Sequence, residues 1–358
     1  MRVHVVGGFL GAGKTTAIRA LARHLRESGE KVAVVTNDQG ETLVDTSLCA
    51  NDGLDVKEIP GGCFCCRYPS LEEALLEAEW TGATVALAEA VGSCTDLVAT
   101  VLSPLVSRRG ASFEVAPLSI LVDGRRFEEL DRGAFSSDVK YLYEKQIEEA
   151  DVLVLTKTDL AQPDVSSRVQ AMRPGAALVR ISATTGKGMA EWLAASPQAF
   201  APPLDIDYER YAKAEAELGW ANGRVRVQGP RTPQVQTIFE RFLGELAALP
   251  VTHVKLTAID AAGDFTGSAS LVRQGGHGVI DARTPAATVD QKELVILVNA
   301  RAALAPTELE KKLRAAMALA TDGAPHEWEV FACFSPSAPV PTYRHLIRST
   351  VQGDECCP

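Results

Sequence analysis

The sequence predicts an α/β fold with a mostly parallel sheet, helices on both of its faces, and a smaller α+β domain towards the carboxyl end. Three observations support this prediction. Apolar runs of strand length alternate with helical patterns over residues 1–198, a glycine-rich turn follows the first run, and the pattern changes after a proline-rich stretch. Strands that alternate with helices are typical of a parallel sheet that is covered on both faces.

The strands of the sheet are predicted from the apolar runs. These runs are Val3–Val6, Lys31–Thr36, Val56–Ile59, Ala83–Ala88, Leu118–Val122, Val152–Thr156 and Ala177–Ile181. Ser70 and Glu73 fit a capping box, which predicts the start of one of the intervening helices. Ligands of such sheets bind beyond the carboxyl ends of the strands, so we expect the functional residues at that edge.

The rest of the chain follows a different pattern. The proline-rich residues 199–206 are interpreted as a linker between a first domain, residues 1–198, and an α+β domain, residues 207–350. The α+β domain is expected to contain an antiparallel sheet of ferredoxin-like type. Its predicted strands and helices are Gly223–Gln228, Pro233–Leu246, Thr252–Ile259, Gly267–Arg273, Leu294–Val298, Thr307–Leu319 and Glu327–Cys333. Residues 351–358 are expected to form a mobile tail that carries Cys356 and Cys357.

The composition argues against several classes of protein. A net charge of −10 over 358 residues disfavours nucleic acid as the main partner, and no apolar run is long enough to span a membrane. The chain begins directly with the predicted strand and glycine-rich turn, so we expect no cleaved signal peptide and a cytoplasmic location. In that reducing compartment the eight cysteines are not expected to form a disulfide framework.

Residues 7–16 carry a specific motif for phosphate binding. They read Gly-Gly-Phe-Leu-Gly-Ala-Gly-Lys-Thr-Thr and satisfy the pattern G-x-x-x-x-G-K-[ST] of the P-loop between a strand and a helix. Inward-pointing N–H groups and the helix N-terminus attract phosphate groups at such a loop. We expect Lys14 to neutralise the β- and γ-phosphates and Thr15 to ligate Mg²⁺. The expected nucleotide contacts in the loop are Gly8, Gly11, Ala12, Gly13, Lys14, Thr15 and Thr16.

Two later motifs favour guanine as the base. Thr156-Lys157-Thr158-Asp159 follows a predicted strand, where G proteins have N-K-x-D, and its Asp159 would accept hydrogen bonds from guanine N1 and N2. Thr156 replaces the usual Asn and supplies only part of its hydrogen bonding. Ser182 and Ala183 lie in a sequence similar to the S-A-K loop that G proteins place over guanine O6. The alternative is an ordinary turn after a strand.

Candidate switch residues follow two other predicted strands. Glu89 ends an apolar run and would hold the water shell of Mg²⁺ or the hydrolytic water, while the N–H of Gly92 would meet the γ-phosphate. Asp38 is a candidate contact of the first switch, and Asp123 is a weaker metal candidate. Lys14, Glu89 and Asp38 are thus the expected catalytic residues. The alternative for Glu89 and Gly92 is an acid at the sheet edge and a turn glycine.

Three cysteines within four residues predict a metal site. Cys63, Cys65 and Cys66 follow a predicted strand and two glycines, and thiolates at this spacing select soft or borderline ions such as Zn²⁺. Co²⁺ and Ni²⁺ are further candidates. The fourth ligand would come from a partner or from one of three residues of this chain: Glu41, Cys49 or Cys94. The alternatives are buried structural cysteines and, for Cys94, a small hydrophobic residue rather than a link between nucleotide and metal.

In this order, the motifs resemble those of the CobW family of P-loop GTPases. This family is the metallochaperone branch of a class that includes the urease and hydrogenase nickel-insertion GTPases. The matching sequences are the P-loop, Gly-Gly-Cys-Phe-Cys-Cys, Glu89-x-x-Gly92 and Thr-Lys-Thr-Asp, within about the first 190 residues. The resemblance implies GTP hydrolysis, Mg²⁺, a transition metal at the thiols and a second domain that engages a client.

The sequence as a whole predicts a GTP-hydrolysing metallochaperone that is slow without its client. The expected partner is a client metalloprotein or a corrinoid or cofactor-assembly protein, with a nucleotide-dependent homodimer as a further expectation. Two alternatives belong to other functional classes. One is a P-loop kinase of small molecules with structural cysteines, and the other is a regulatory protein that senses a nucleotide without hydrolysing it.

Overall fold

The computed structural model describes residues 1–37, 49, 52–229, 233–273, 275–276, 278–282 and 293–348. The predicted site residues Asp38 and Glu41, and the tail cysteines Cys356 and Cys357, lie outside this set. The chain divides into two compact units. In its described part, residues 1–37, 53–214 and 338–348 form the first unit, and residues 49, 52 and 215–337 belong to the second.

The first unit alternates strands and helices along the chain. Its elements are β1 Arg2–Gly8, α1 Lys14–Glu27, β2 Val32–Asn37, β3 Asp55–Ile59, α2 Tyr68–Trp80, β4 Val85–Glu89, a π-helical turn Val98–Leu102, α3 Ser103–Arg109, β5 Glu114–Val115, β6 Ser119–Val122, α4 Gly124–Asp131, α5 Ser137–Glu148, β7 Val152–Leu155, α6 Ser166–Met172, β8 Ala177–Arg180, α7 Met189–Ala194 and α8 Tyr208–Ala216. The last two residues of α8 belong to the second unit.

The sheet of the first unit confirms the predicted parallel architecture. Its strands follow the order β3-β2-β4-β1-β6-β7-β8, β5 also pairs with β1, and all of these pairs are parallel. Strands β2, β4, β6 and β7 are buried along their whole length, because helices cover both faces of a parallel sheet. The carboxyl ends of parallel strands meet at one edge, which collects the loops described below.

The second unit is an antiparallel sheet with helices packed on one face. Its elements are β9 Gly219–Gln228, α9 Val235–Leu246, β10 Val251–Asp260, β11 Phe265–Leu271, β12 Val279–Ala282, β13 Glu293–Ala302, α10 Pro306–Ala320 and β14 His326–Phe334. The strand order is β12-β11-β10-β13-β9-β14. Without the hairpin β11–β12, the succession is the βαββαβ of ferredoxin-like folds, as the sequence predicted. Phe239, Phe242 and Leu313 anchor the core between the helices and the sheet.

Two predictions about boundaries differ from the structure. Helix α2 begins at Tyr68 without a side-chain cap, so the capping box of Ser70 and Glu73 does not form; Pro69 lies in the first turn instead, where its missing N–H costs nothing. Residues 338–348, which we call the C-terminal strap, group with the first unit although the predicted α+β domain included them. The Arg348 guanidinium holds the strap there through two bonds of 2.8 and 2.6 Å to the Asp151 carboxylate.

No helix in the described part of the chain has the length and apolar character needed to cross a membrane.

Candidate functional site

The P-loop joins β1 to α1 and depends on glycine at two positions. Gly8 has φ +130°, and a Cβ there would lie 2.5 Å from the Leu121 carbonyl oxygen of the neighbouring strand. Gly13 has φ +92° and directly precedes the first residue of α1, Lys14. The loop therefore packs closely on the sheet and leads into a helix whose N-terminal N–H groups attract anions.

The Lys14 side chain folds back into the P-loop. Its ammonium donates hydrogen bonds to the carbonyl oxygens of Gly8, at 2.8 Å, and Phe9, at 3.3 Å, and the residue is buried. A charged group held in this position is suited to neutralise a phosphate that enters the loop, because charge-assisted hydrogen bonds are the strongest of their kind.

Thr15 and Glu89 meet at the carboxyl edge of the sheet. The Thr15 hydroxyl donates to the Glu89 Oε1 at 2.8 Å, and both residues are buried. A hydroxyl and a carboxylate are oxygen ligands of the kind that Mg²⁺ prefers, so this pair fits the predicted magnesium site. Glu89 ends β4, next to β1 in the sheet, which explains why residues 74 positions apart in the chain are in contact.

The predicted base-recognition residues lie behind the P-loop. The Thr156 hydroxyl donates to the Ala12 carbonyl at 2.8 Å, and the Lys157 ammonium donates to the Gly11 carbonyl at 2.8 Å. The Asp123 carboxylate forms an ion pair of 2.5 Å with the Lys157 ammonium. Asp123 also accepts a hydrogen bond from the Arg125 N–H as the N-cap of α4. Asp123 thus contacts Lys157 in this structure, and the weaker prediction that it is a metal ligand stays a prediction.

The two motifs predicted to surround the base are joined directly. The Thr158 N–H donates to the Ile181 carbonyl at 3.2 Å, which brings the loop with Asp159 to the loop with Ser182 and Ala183. Ser182 is buried and its hydroxyl accepts a hydrogen bond from the Thr185 N–H, while Asp159 is exposed. The two motifs are therefore neighbours in the fold, and their role in binding the base stays a prediction.

The loop after β4, residues 90–97, packs against the P-loop through Gly92. A Cβ at Gly92 would lie 2.6 Å from Leu10 Cδ2 and 3.1 Å from the Leu10 N, so only glycine permits this approach. Two buried side chains of the α5 region support the loop. The Gln146 amide donates to the carbonyls of Gly92 and Cys94, and the Glu149 carboxylate accepts from the Leu97 N–H at 2.6 Å.

The loop between β3 and α2 brings the three predicted thiols together. Cys63 Sγ lies 2.8 Å from Cys65 Sγ and 3.3 Å from Cys66 Sγ, and Cys65 Sγ and Cys66 Sγ are 3.7 Å apart. Among the described residues, these form the group of His, Cys, Asp and Glu side chains that could hold a metal ion. The Asn37 amide fixes the start of the loop by donating to the Ile59 carbonyl at 2.9 Å and the Gly62 carbonyl at 2.5 Å.

The thiols differ in their affinity for protons. Hydrogen bonds with Cys65 and then Cys66 and Cys94 hold the pKa of Cys63 well below its ordinary value. Hydrogen bonding to Cys63 raises the pKa of Cys65 well above its ordinary value and that of Cys66 to about 11. Cys63 thus gives up its proton more readily than Cys65 or Cys66, and such a cluster can take a thiophilic cation once the thiols are deprotonated.

The three remaining described cysteines have different surroundings. The Cys94 thiol is buried and hydrogen bonds to Cys63, so the loop after β4 touches the thiol cluster. Cys49 is buried and groups with the second unit. Cys333 also belongs to the second unit, where its thiol donates to the Pro306 carbonyl at 3.0 Å.

Several residues of the site could not be predicted equally well from the sequence. Asn37 ends a strand next to β4, so the rule that led to Glu89 could also have indicated Asn37. The C-terminal strap carries no such signal, yet the Val340 N–H donates to Cys66 Sγ at 3.3 Å across 274 positions of the chain. Gln146 and Glu149 lie in a helical pattern where polar residues are expected to face solvent, but both are buried.

This chain is similar to a described protein family and to several known proteins. The family described as CobW/HypB/UreG, nucleotide-binding domain, matches residues 2–180. The protein named zinc chaperone YeiR of Escherichia coli (strain K12) is 32% identical over 183 residues, which are 47% of this chain and 50% of that protein. The zinc chaperone CobW of Pseudomonas aeruginosa is 29% identical over 222 residues, 52% of this chain and 57% of that protein.

Among solved structures, the hydrogenase maturation factor HypB from Archaeoglobus fulgidus is similar with 18% identity and a TM-score of 0.38, over 54% of this chain and 87% of that one. The chain spans about half the length of the curated relatives that it matches.

Proposed function

The chain belongs to the CobW/HypB/UreG family, and from this premise we propose that it is a GTP-hydrolysing metallochaperone. Its cargo would be Zn²⁺, carried by Cys63, Cys65 and Cys66 and delivered to a client metalloprotein or to a corrinoid or cofactor-assembly protein. The names of the relatives, which call them zinc chaperones, favour Zn²⁺ over Co²⁺ and Ni²⁺. The chemistry of the site also favours Zn²⁺, because Zn²⁺ binds thiolate ligands well.

One observation carries the proposal: the Cys94 thiol touches the thiol cluster from the loop that packs on the P-loop. Cys94 hydrogen bonds to Cys63, and Gly92, two residues earlier, packs against Leu10 of the P-loop. A change in the position of Gly92 therefore reaches Cys63 through a very short stretch of chain. This connection is what a GTPase needs if its nucleotide state is to control a bound metal.

The nucleotide half of the proposal assigns a task to each residue of the P-loop edge. Lys14 would bind the phosphates, Thr15 and Glu89 would hold Mg²⁺, and Gly92 would meet the γ-phosphate. Mg²⁺ bound there supplies positive charge that compensates the phosphate oxygens. Lys157 and Asp159 would bind guanine, with Thr156 in the place of the usual Asn. Hydrolysis removes the γ-phosphate contact and lets the loop after β4 relax.

The energy required for this coupling is small. A tenfold change in metal affinity corresponds to about 1.4 kcal/mol. A single hydrogen bond to a charged group contributes about 1.5–3 kcal/mol, so one contact between the Gly92 N–H and a γ-phosphate is sufficient. A complete switch from a mostly closed to a mostly open site needs about 5.5 kcal/mol and hence several such contacts.

The test is the affinity for Zn²⁺ in two nucleotide states. The reduced protein would be titrated against a competing chelator in GDP and in a non-hydrolysable GTP analogue, with Co²⁺, Ni²⁺ and an ATP analogue as comparisons. We expect a difference of at least about fivefold between the GDP and GTP forms, and a smaller one in Cys94→Ala. Cys333→Ala, in the second unit, is the matched control. Equal affinities in both nucleotide states would refute the coupling.

The partners and the location belong to the same proposal. The second unit would engage the client, because its residues 215–337 form a core of their own and lie outside the nucleotide-binding match. A nucleotide-dependent homodimer and a cytoplasmic location complete the proposal. Light scattering with GDP and with the GTP analogue tests the dimer, whose mass we expect in the GTP form alone.

A further inference from the structure

The C-terminal strap crosses the thiol loop and is bound to its backbone. The Val340 N–H donates to Cys66 Sγ at 3.3 Å, and the Thr342 N–H donates to the Cys65 carbonyl at 2.9 Å. The Thr342 hydroxyl adds a bond of 3.2 Å to the Cys66 carbonyl. The strap therefore contacts one of the thiol sulfurs directly, and its next contacts hold the peptide groups of the same two cysteines.

The middle of the strap is held by an aromatic contact on α2, the helix that follows the thiols. The Tyr343 ring meets the Tyr68 ring edge to face, with centroids 5.1 Å apart. The Arg108 guanidinium lies 4.9 Å from the Tyr343 centroid and also pairs with Glu72 of α2. These contacts place the strap against the N-terminus of α2, next to the cysteines.

The strap is also tied to the loop after β4, which touches both the P-loop and Cys63. The Arg344 Nε donates to Asp96 Oδ2 at 2.7 Å, and the Tyr208 hydroxyl donates to the same oxygen at 2.8 Å. Asp96 is 1% exposed and has φ +62°, in the region that residues with a Cβ rarely adopt. A buried carboxylate depends strongly on its charged partner, so movement of Asp96 acts directly on Arg344.

The outer side of the strap buries little apolar surface. Val340 and Leu346 are 75% exposed and Ile347 is 82% exposed. The strap is thus held mainly by polar contacts at a few points, and segments with few buried apolar contacts open locally at low free energy.

From these contacts we propose that the C-terminal strap is a gate over the metal-binding thiols and that Arg344 is the positioning residue that latches it. The inference rests on the proposed function, because it takes the thiols as the metal site and the loop after β4 as its link to the nucleotide. With the strap docked, the sulfur of the half-buried Cys66 accepts a hydrogen bond from the Val340 N–H. With Asp96 displaced, residues 340–344 of the strap leave the thiol loop, while Arg348 keeps the end of the strap on Asp151, and the metal becomes accessible to an acceptor.

The covering of the thiols can be tested without metal or nucleotide. The alkylation rate of Cys66 by iodoacetamide, read by peptide mass spectrometry, is expected to rise at least about tenfold in Arg344→Ala and less in Arg344→Lys. Arg210→Ala is the matched control. The Arg210 side chain forms an ion pair of 2.8 Å with Asp138, which is not part of the strap, and its exposure is similar to that of Arg344. The result that overturns the gate is a rate in Arg344→Ala equal to that of the wild type.

A second pair of variants removes a single hydrogen bond. Val340→Pro deletes the N–H that reaches Cys66, whereas Val340→Ala keeps it, and the exposed Val340 side chain makes both changes mild for the fold. We expect faster alkylation of Cys66 in Val340→Pro and a wild-type rate in Val340→Ala. Equal rates in the two variants would contradict the role of this hydrogen bond. This pair keeps the test available if Arg344→Ala fails to fold.

The latch is tested by the rate at which Zn²⁺ passes from the loaded protein to a chromogenic chelator. We expect the wild type to release Zn²⁺ at different rates in GDP and in the GTP analogue, and Arg344→Ala to release it equally fast in both. If the wild type responds to the nucleotide and Arg344→Ala responds by the same factor, only the gate is overturned. If the wild type binds no Zn²⁺ at the thiols, the proposed function fails and the gate fails with it.

Discussion

The P-loop and the thiol loop are both ligand-binding candidates after a strand, but different contacts hold them in place. Both follow a strand of the parallel sheet, and both contain glycines with positive φ. The P-loop is held by the buried Lys14 from within and by Thr156 and Lys157 from the next motif. The thiol loop is held by Asn37 on one side and by the strap, which lies more than 270 positions later, on the other.

The comparison teaches that preorganisation and release need different supports. A loop that binds a nucleotide gains affinity from contacts that already hold it in the bound conformation, because little conformational entropy is then lost on binding. A site that must give up its cargo gains from a support that can leave. Residues 8–14 have the first kind of support, and the proposed gate assigns the second kind to residues 340–344.

The largest expected effect is the loss of Zn²⁺ binding when the thiol loop loses its central sulfur. Cys65→Ser replaces a buried thiol with a hydroxyl that Zn²⁺ ligates poorly. We expect the Zn²⁺ affinity to fall at least about a thousandfold, or ~4 kcal/mol, in a chelator competition. Cys333→Ser is the control and should bind as the wild type does. An unchanged Zn²⁺ affinity in Cys65→Ser would refute the assignment of the thiol loop as a metal site.

The next largest effect separates the two loops. Lys14→Ala removes the ammonium from the P-loop and is expected to weaken GTP binding about a hundredfold, or ~2.7 kcal/mol, in a fluorescence titration. The Zn²⁺ affinity without nucleotide should stay the same, because the Lys14 ammonium is bound within the P-loop, to the carbonyls of Gly8 and Phe9. Lys145→Ala, at a partly exposed ion pair with Glu148, is the control. Equal losses of GTP and Zn²⁺ binding would show that the loops are not separable.

The parallel sheet that carries both loops contains a largely buried histidine, His4 on β1, which makes the stability of the protein depend on pH. Burial lowers the pKa of His4 on β1 to about 4, so the folded protein keeps this ring neutral while the unfolded chain protonates it near pH 6.5. The unfolded state therefore binds more protons between these values, and stability is lost as the pH falls from about 6.5 to about 4, by at most ~3 kcal/mol.

His4→Phe is expected to remove this part of the pH dependence. The His4 Nε2 is buried and has no hydrogen-bond partner among the described residues, so an apolar ring satisfies the site without leaving a new polar group unpaired. Urea unfolding between pH 4 and pH 7 measures the effect. An identical slope in the variant would mean that other groups cause the acid sensitivity of the protein.

The smallest effect sharpens the description of the nucleotide side. Thr156→Asn restores the amide usual in G proteins while keeping a donor for the Ala12 carbonyl. We expect the ratio of GTP to ATP affinity to rise by about tenfold or less, or ~1 kcal/mol, and to fall in Thr156→Ala. Competition of the two nucleotides for one labelled analogue provides the ratio. An unchanged ratio in both variants would mean that selectivity rests on Asp159 and Ser182 alone.

Local motifs made the fold and much of the candidate site predictable. Apolar runs indicated β1, β2, β4 and β6, because buried parallel strands have no polar alternation to obscure them. The spacing of Lys14, Thr15, Cys63, Cys65 and Cys66 depends on neighbouring residues only, so the sequence displays it directly. Glu89 was indicated by its place at the end of a strand, and the contact with Thr15 follows from the pairing of β4 with β1.

The contacts that could not be predicted join distant parts of the chain or replace one local option with another. Arg344 and Asp96 lie 248 positions apart, and no periodicity links them. Asp123 had the position of a metal ligand, but the nearby Lys157 ammonium takes its carboxylate. Ser70 and Glu73 had the spacing of a capping box, yet α2 begins two residues before Ser70 with a proline in its first turn. Each choice depends on partners that spacing does not reveal.

The route of the backbone between the two units has an evolutionary consequence. The chain leaves the first unit after Ala214 and returns to it at Ala338, so residues 215–337, the larger part of the second unit, form an insertion with both ends in the first unit. Insertions of this kind can be exchanged or lengthened without interrupting the host's own hydrophobic core. Related chains can thus differ in the inserted residues 215–337, while the strap that follows the insertion keeps its contacts with the thiol loop of the first unit.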